Sequence, residues 1–133
     1  MNQILVIDDE SQILGFVQAV LTLFGYEVKM AQNGEMGLEL FNRSMDFDML
    51  ITDIRMPDIG GNAVARHIRN SEKPETPIIA MSGYGGEIKR VLFDATLIKP
   101  FKLEDFLDVM NSVKQKAFGR KQVFDRGEIA HEK

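Results

Sequence analysis

The sequence contains no cysteine and only two histidines, His67 and His131, among 133 residues. A disulfide framework, a thiol nucleophile and a cysteine-ligated zinc or iron–sulfur centre are therefore excluded. Two histidines are also too few for a histidine-based metal cage. Positive charge is in deficit: 16 lysines and arginines against 20 aspartates and glutamates leave a formal net charge of −4. Non-specific nucleic-acid binders need a basic footprint, so no direct nucleic-acid partner is expected. No apolar run approaches the ~18–20 residues of a membrane span. The opening stretch MNQILVIDDE reaches acid after four apolar residues, unlike a secretory leader. What is left is an ordinary globular balance, 44% hydrophobic and 27% charged, in a length that suits one domain. The expectation is a soluble cytoplasmic protein without a membrane partner.

Short apolar runs alternate with amphipathic stretches. Residues 4–7, 49–51, 77–81 and 96–98 are apolar runs of strand length, and 26–31 alternates like a shorter strand. Continuous runs of this kind suit strands covered on both faces. Residues 11–24, 35–42, 63–70 and 103–116 carry apolar stripes at helical spacing. Gly25 is placed to cap the first helix, and Asn33-Gly34 punctuates the second strand from its helix. Alternating strands and helices predict an α/β fold, a parallel sheet wound on both faces by helices.

Chemistry collects at the ends of the runs. Ile7 leads into Asp8-Asp9-Glu10, Ile51 through Thr52 into Asp53, Met81 into Ser82, and Ile98 into Lys99. Open parallel sheets bind ligands beyond the carboxyl ends of their strands, so all four features converge on one rim. Singly, each has a bland explanation as a cap, a turn former or a solvated charge; together at strand ends they do not. Carboxylates crowded into one cleft either rise in pKa or share a cation. Oxygen ligands without sulfur or imidazole suit a hard divalent ion, of which Mg²⁺ is the usual occupant. Beside it a lysine and a hydroxyl can hold phosphoryl oxygens, and one carboxylate can serve as a nucleophile forming an acyl phosphate.

The fragments LVIDDE (5–10), ITDIRMPDIGG (51–61), IIAMSGYG (78–85) and IKPF (98–101) resemble the receiver domain of two-component response regulators over residues 2–117. The resemblance implies a flavodoxin-like doubly wound sheet of five parallel strands in the order 2-1-3-4-5. It implies that Asp53 is the phosphoacceptor, taking its phosphoryl group from a histidine kinase or histidine phosphotransfer protein. Asp8, Asp9, Asp53 and the backbone carbonyl of Arg55 would hold Mg²⁺. Ser82 would hydrogen-bond the phosphoryl group, and Lys99 would pair with it. The Lys99–Pro100 bond is typically cis in such domains. The protein would be no enzyme beyond self-phosphorylation and autodephosphorylation, and would switch the binding of an unknown downstream protein or relay phosphate.

Departures from the family pattern shape further expectations. The switch position three before the lysine, usually aromatic, is Thr96. The stretch between Ser82 and Lys99 is about five residues shorter than the family norm and leaves room for little more than residues 87–93 as helix. The fourth helix is therefore expected to be short or irregular, with altered contacts on the face it helps to form. Arg55 and Tyr84 flank the phosphoryl pocket and are expected to modulate phosphoryl lifetime. Residues 1–117 are read as the receiver domain and 118–133 as a C-terminal extension without an output domain. A monomer or weak dimer is expected. The rivals are a pseudo-receiver acting as a constitutive interaction module and an aspartyl-nucleophile phosphatase. The adjacency of Asp8 and Asp9 speaks against the second.

Overall fold

Apolar runs of strand length build the centre of the molecule. The computed structural model describes residues 2–44 and 46–132, with side chains up to residue 117. Strands β1 (Gln3–Ile7), β2 (Glu27–Ala31), β3 (Met49–Asp53), β4 (Ile78–Ser82) and β5 (Ala95–Ile98) form one parallel sheet. Its order is β2-β1-β3-β4-β5, the expected flavodoxin-like arrangement. Every residue of β3 and β4 is buried. That is the physical reason their sequences show no alternation: each face lies under a helical layer.

The layers are α1 (Ser11–Leu23) and α4 (Leu103–Glu132) on one face, α2 (Gly34–Ser44) and α3 (Gly61–Arg69) on the other. Successive strand side chains point to opposite faces, so each strand feeds two cores. Ile4, Val6, Ile51 and Met81 pack with Leu14, Val17, Phe106 and Met110. Leu5, Ile7, Leu50 and Ile78 pack with Phe41, Val64 and Ile68. Among the described residues, no helix is long and apolar enough to cross a membrane.

The predicted punctuation is found where the sequence puts it. Gly25 takes the left-handed conformation, φ 89°. The amides of Gly25 and Tyr26 donate back to the carbonyls of Thr22 and Leu21 at 3.0 Å each, closing α1 with a Schellman motif. Asn33 caps α2, its Oδ1 accepting the Met36 amide at 2.7 Å.

Between β4 and β5 no α-helix forms. Two 3-10 turns, Gly85–Glu87 and Arg90–Leu92, take its place. The short connection predicts a reduced helix over 87–93, and the reduction goes further than that. Ile88 anchors the segment by burying itself against Ile54 and Ala80. The last helix is longer than its apolar stripe predicts, running past Lys116 to Glu132; no proline interrupts this stretch. The side chains of the expected 118–133 extension lie outside the described residues.

Candidate functional site

The carboxyl ends of β1, β3, β4 and β5 meet at one rim, and each delivers a side chain to it. Asp8 follows β1 and is fully buried, Asp53 closes β3 at 5% exposure, and Ser82 closes β4 at 1%. Lys99 follows β5, its amide donating to the Ser82 carbonyl at 2.8 Å. These are unusual burials for polar groups, and the local backbone explains how they are tolerated. The Ile54 amide donates to Asp53 Oδ1 at 2.9 Å, and the Glu10 amide donates to Asp8 Oδ1 at 2.8 Å. Thr52 Oγ1 donates to the Asp53 carbonyl at 2.9 Å. Gly61 permits the close approach of α3: a Cβ there would strike the Asp53 carbonyl oxygen.

Lys99 Nζ gathers three carboxylates. It lies 2.9 Å from Asp8 Oδ2, 2.9 Å from Glu10 Oε1 and 3.4 Å from Asp53 Oδ1. Carboxylate oxygens of Asp8, Asp9, Glu10 and Asp53 all lie within 4.8 Å of one another. A donor set of oxygens alone, partly exposed at Asp9 and Glu10, fits a hard divalent cation that keeps some of its water. Glu10 thus stands in the cluster beside the three aspartates expected from the sequence.

Burial pushes the Asp53 carboxyl up to about 6, and the neighbouring Asp8 charge adds to the push, against the pull of Lys99. Burial also raises Asp8, opposed by the Glu10 amide and by Lys99. For Lys99 burial acts downward, but the hydrogen bonds it donates to Glu10 and Asp8 outweigh it and hold the ammonium above its ordinary range. The site is a cation among crowded anions, with more negative charge than one lysine neutralises.

The β4 side is arranged differently. Ser82 Oγ accepts the Tyr84 amide at 3.0 Å, and its own proton faces the Tyr84 carbonyl at 3.0 Å and Glu87 Oε2 at 3.4 Å. Glu87 also forms an ion pair with Arg55. A cleft of about 850 Å³ runs between the two sides, lined by Asp53, Arg55, Ser82, Tyr84, Glu87 and Lys99 among others. Arg55 and Tyr84 therefore flank the cleft as their positions predict, with Tyr84 67% exposed. Thr96 does not reach it: its Oγ1 accepts Arg90 Nη1 at 3.1 Å on the outer side of β5. The sequence pattern does not point to Glu87, nor to Asn62, whose Nδ2 donates to the Glu87 carbonyl at 2.8 Å. The signal available was the shortened β4–β5 connection, which leaves a charged residue little room to turn away from the rim.

Acidic residues at the ends of β1 and β3, a hydroxyl at the end of β4 and a lysine after β5 thus share one rim of a flavodoxin-like sheet. Residues 4–111 match the sequence model of the response regulator receiver domain. The chain belongs to that family, the receiver domains of two-component systems. The regulatory protein CpxR of Escherichia coli is 33% identical over 106 residues, which are 76% of this chain and 44% of CpxR. The chain thus spans under half the length of that relative. Among solved structures, TrrA of Thermotoga maritima in complex with Mg²⁺-BeF superposes with a TM-score of 0.77 at 32% identity, over 85% of this chain and 99% of that one. The chemotaxis response regulator CheY4 of Vibrio cholerae gives 0.77 at 30% identity, over 85% and 98%.

Proposed function

We propose that this chain is a phosphoacceptor: Asp53 takes a phosphoryl group from the phosphohistidine of a histidine kinase or phosphotransfer protein in the cytoplasm. The observation that carries this reading is the single Lys99 ammonium held among Asp8, Glu10 and Asp53 at the carboxyl ends of the strands. Asp53 presents an oxygen to the phosphorus, the P–N bond of the donor breaks, and the electron pair leaves with the imidazole, which takes a proton from solvent. Lys99 and Ser82 then bind the phosphoryl oxygens. Asp8, Asp9 and Asp53, with the Arg55 backbone carbonyl, are the groups that would hold Mg²⁺, and Glu10 stands beside them. When bound, the ion supplies positive charge for the oxygens of the transferring group.

Hydrolysis reverses the modification. Water attacks the phosphorus, inorganic phosphate leaves, and the Asp53 carboxylate is restored. Arg55 and Tyr84 line the cleft by which that water would enter, and in this reading they tune the lifetime of the acyl phosphate. Incubation with Mg²⁺ and acetyl phosphate, followed by intact-mass spectrometry, tests the reading. One added phosphoryl group on the wild type and none on Asp53→Asn is the expected result. No adduct, together with no binding of beryllium fluoride, would make the chain a pseudo-receiver instead.

A further inference from the structure

Lys99, Ser82 and Arg55, which line the cleft, are each already engaged by a carboxylate of the protein itself. Lys99 is held by Glu10 at 2.9 Å. Ser82 Oγ and the Arg55 guanidinium both face Glu87, the hydroxyl at 3.4 Å from Oε2 and the guanidinium paired with Oε1. The two carboxylates differ in how they are anchored. Glu10 is the N-cap residue of α1, its carbonyl accepting the amides of Ile13 and Leu14 at 3.1 Å. Glu87 closes a single 3-10 turn of three residues. A phosphoryl group carries about two negative charges at neutral pH and three acceptor oxygens. It outcompetes a lone carboxylate for a hydroxyl and a guanidinium, and it repels that carboxylate once bound.

We propose that Glu87 occupies the phosphoryl seat in the free protein, so that a phosphoryl group on Asp53 takes Ser82 and Arg55 from it and drives residues 84–93 off the rim. The inference rests on the phosphoacceptor reading and adds the residue that converts occupancy into movement. Its transmission is local and visible. Asn62 on α3 donates through Nδ2 to the Glu87 carbonyl at 2.8 Å, and its Oδ1 accepts the Lys89 amide at 3.1 Å. One side chain therefore clamps both flanks of Ile88, and a displaced Glu87 pulls on that clamp. Thr96 cannot supply an aromatic swing, and Glu87 makes one unnecessary: the moving part is a charge.

Beryllium fluoride with Mg²⁺ serves as the probe, titrated into ¹⁵N-labelled wild type, Glu87→Gln and Glu87→Ala, with Asp53→Asn as the blank. Wild type is expected to bind and to shift the amides of residues 84–93 and the Asn62 side-chain amide. Glu87→Gln keeps the hydrogen-bonding shape but removes the competing charge. It is expected to bind about 5- to 10-fold more tightly, the scale of losing one charge-assisted contact, and to show part of the bound-state shifts before any probe is added. Glu87→Ala is expected to behave alike. Equal or weaker binding by both variants overturns the role of Glu87 while leaving the phosphoacceptor reading intact. So does wild-type binding that leaves residues 84–93 unmoved. No binding by any of the proteins, with no acetyl phosphate adduct, overturns both.

Discussion

The two sides of the rim are built by different means. Asp8 and Asp53 stand at the ends of buried central strands, with backbone amides fixing their carboxylates and Gly61 bringing α3 against the Asp53 carbonyl. Ser82 also ends a buried strand, but the groups that face it, Tyr84 and Glu87, bracket the first of two short 3-10 turns. Those turns are held by side chains rather than by a hydrogen-bonded ladder: Asn62 grips 87–89, and Arg69 grips Leu92 and Asp94. A site that must place a nucleophile accurately gains from an over-determined frame. A segment that must report occupancy gains from low local stability. In the proposed function the chemistry falls on the first side and the adjustable segment on the second.

The sharpest way to break the rigid side is Gly61→Ala. The added methyl would meet backbone, not a flexible side chain: the Asp53 carbonyl oxygen, and Ile54 Cα at 2.9 Å. The chain must move α3 or the end of β3, and overpacking against backbone costs about 3 kcal/mol. Urea unfolding should show that loss, and the acetyl phosphate adduct should form more slowly because Asp53 is displaced. Unchanged stability would mean that the β3–α3 junction yields as easily as the 3-10 turns, and the contrast between the two sides would dissolve.

Arg69→Ala probes the other side. The guanidinium donates to the carbonyls of Leu92, Pro74 and Thr76 at 3.0, 2.7 and 2.7 Å, and to Asp94 Oδ2 at 3.0 Å. Losing so many bonds from one partly buried group should cost about 2 kcal/mol. The loss should be regional: amide hydrogen exchange should accelerate over residues 88–94 while β1 and β3 keep their protection, and Asp53 should still accept phosphate. A uniform rise in exchange across the sheet would show that the segment is not an independent unit.

How far the sequence foretells these two sides follows the same division. The apolar runs, the meeting of Asp8, Asp53, Ser82 and Lys99 at one rim, the cap at Gly25 and the break at Asn33-Gly34 are legible because each obeys a local rule: period, strand end or turn chemistry. The sheet order came from resemblance to a family, not from pattern alone. The shortage of residues between Ser82 and Lys99 predicts a short or irregular fourth helix, and the two 3-10 turns are its outcome. Glu87 is not legible at all, because its position depends on Asn62 and Arg55, which are 25 and 32 residues away. The continuation of α4 beyond Lys116 is not legible for a simpler reason: the apolar stripe weakens there, although no proline stops the helix.

Asp53→Asn gives the smallest of these effects and the most discriminating, because its sign depends on pH and on cation. In the metal-free protein the Asp53 carboxyl titrates at about 6 rather than at its ordinary 3.8. Between those two values the folded chain holds a proton that the unfolded chain has released, so stability falls as pH rises through the window. Above about pH 6 the whole penalty is present; below about pH 4 it is absent. The amide removes the charge but shares part of the burial cost, so the variant should be more stable than wild type by about 1–2 kcal/mol at neutral pH. The gain should shrink toward zero as pH falls to 4. Excess Mg²⁺ should shrink it too, since wild type then gains a ligand that the variant binds less well. Thermal unfolding across pH, with chelator and with Mg²⁺, measures all three. A gain that ignores both variables would mean that Asp53 is destabilising through its shape and not through crowded charge, leaving the rigid side without the electrostatic load that a bound cation would relieve.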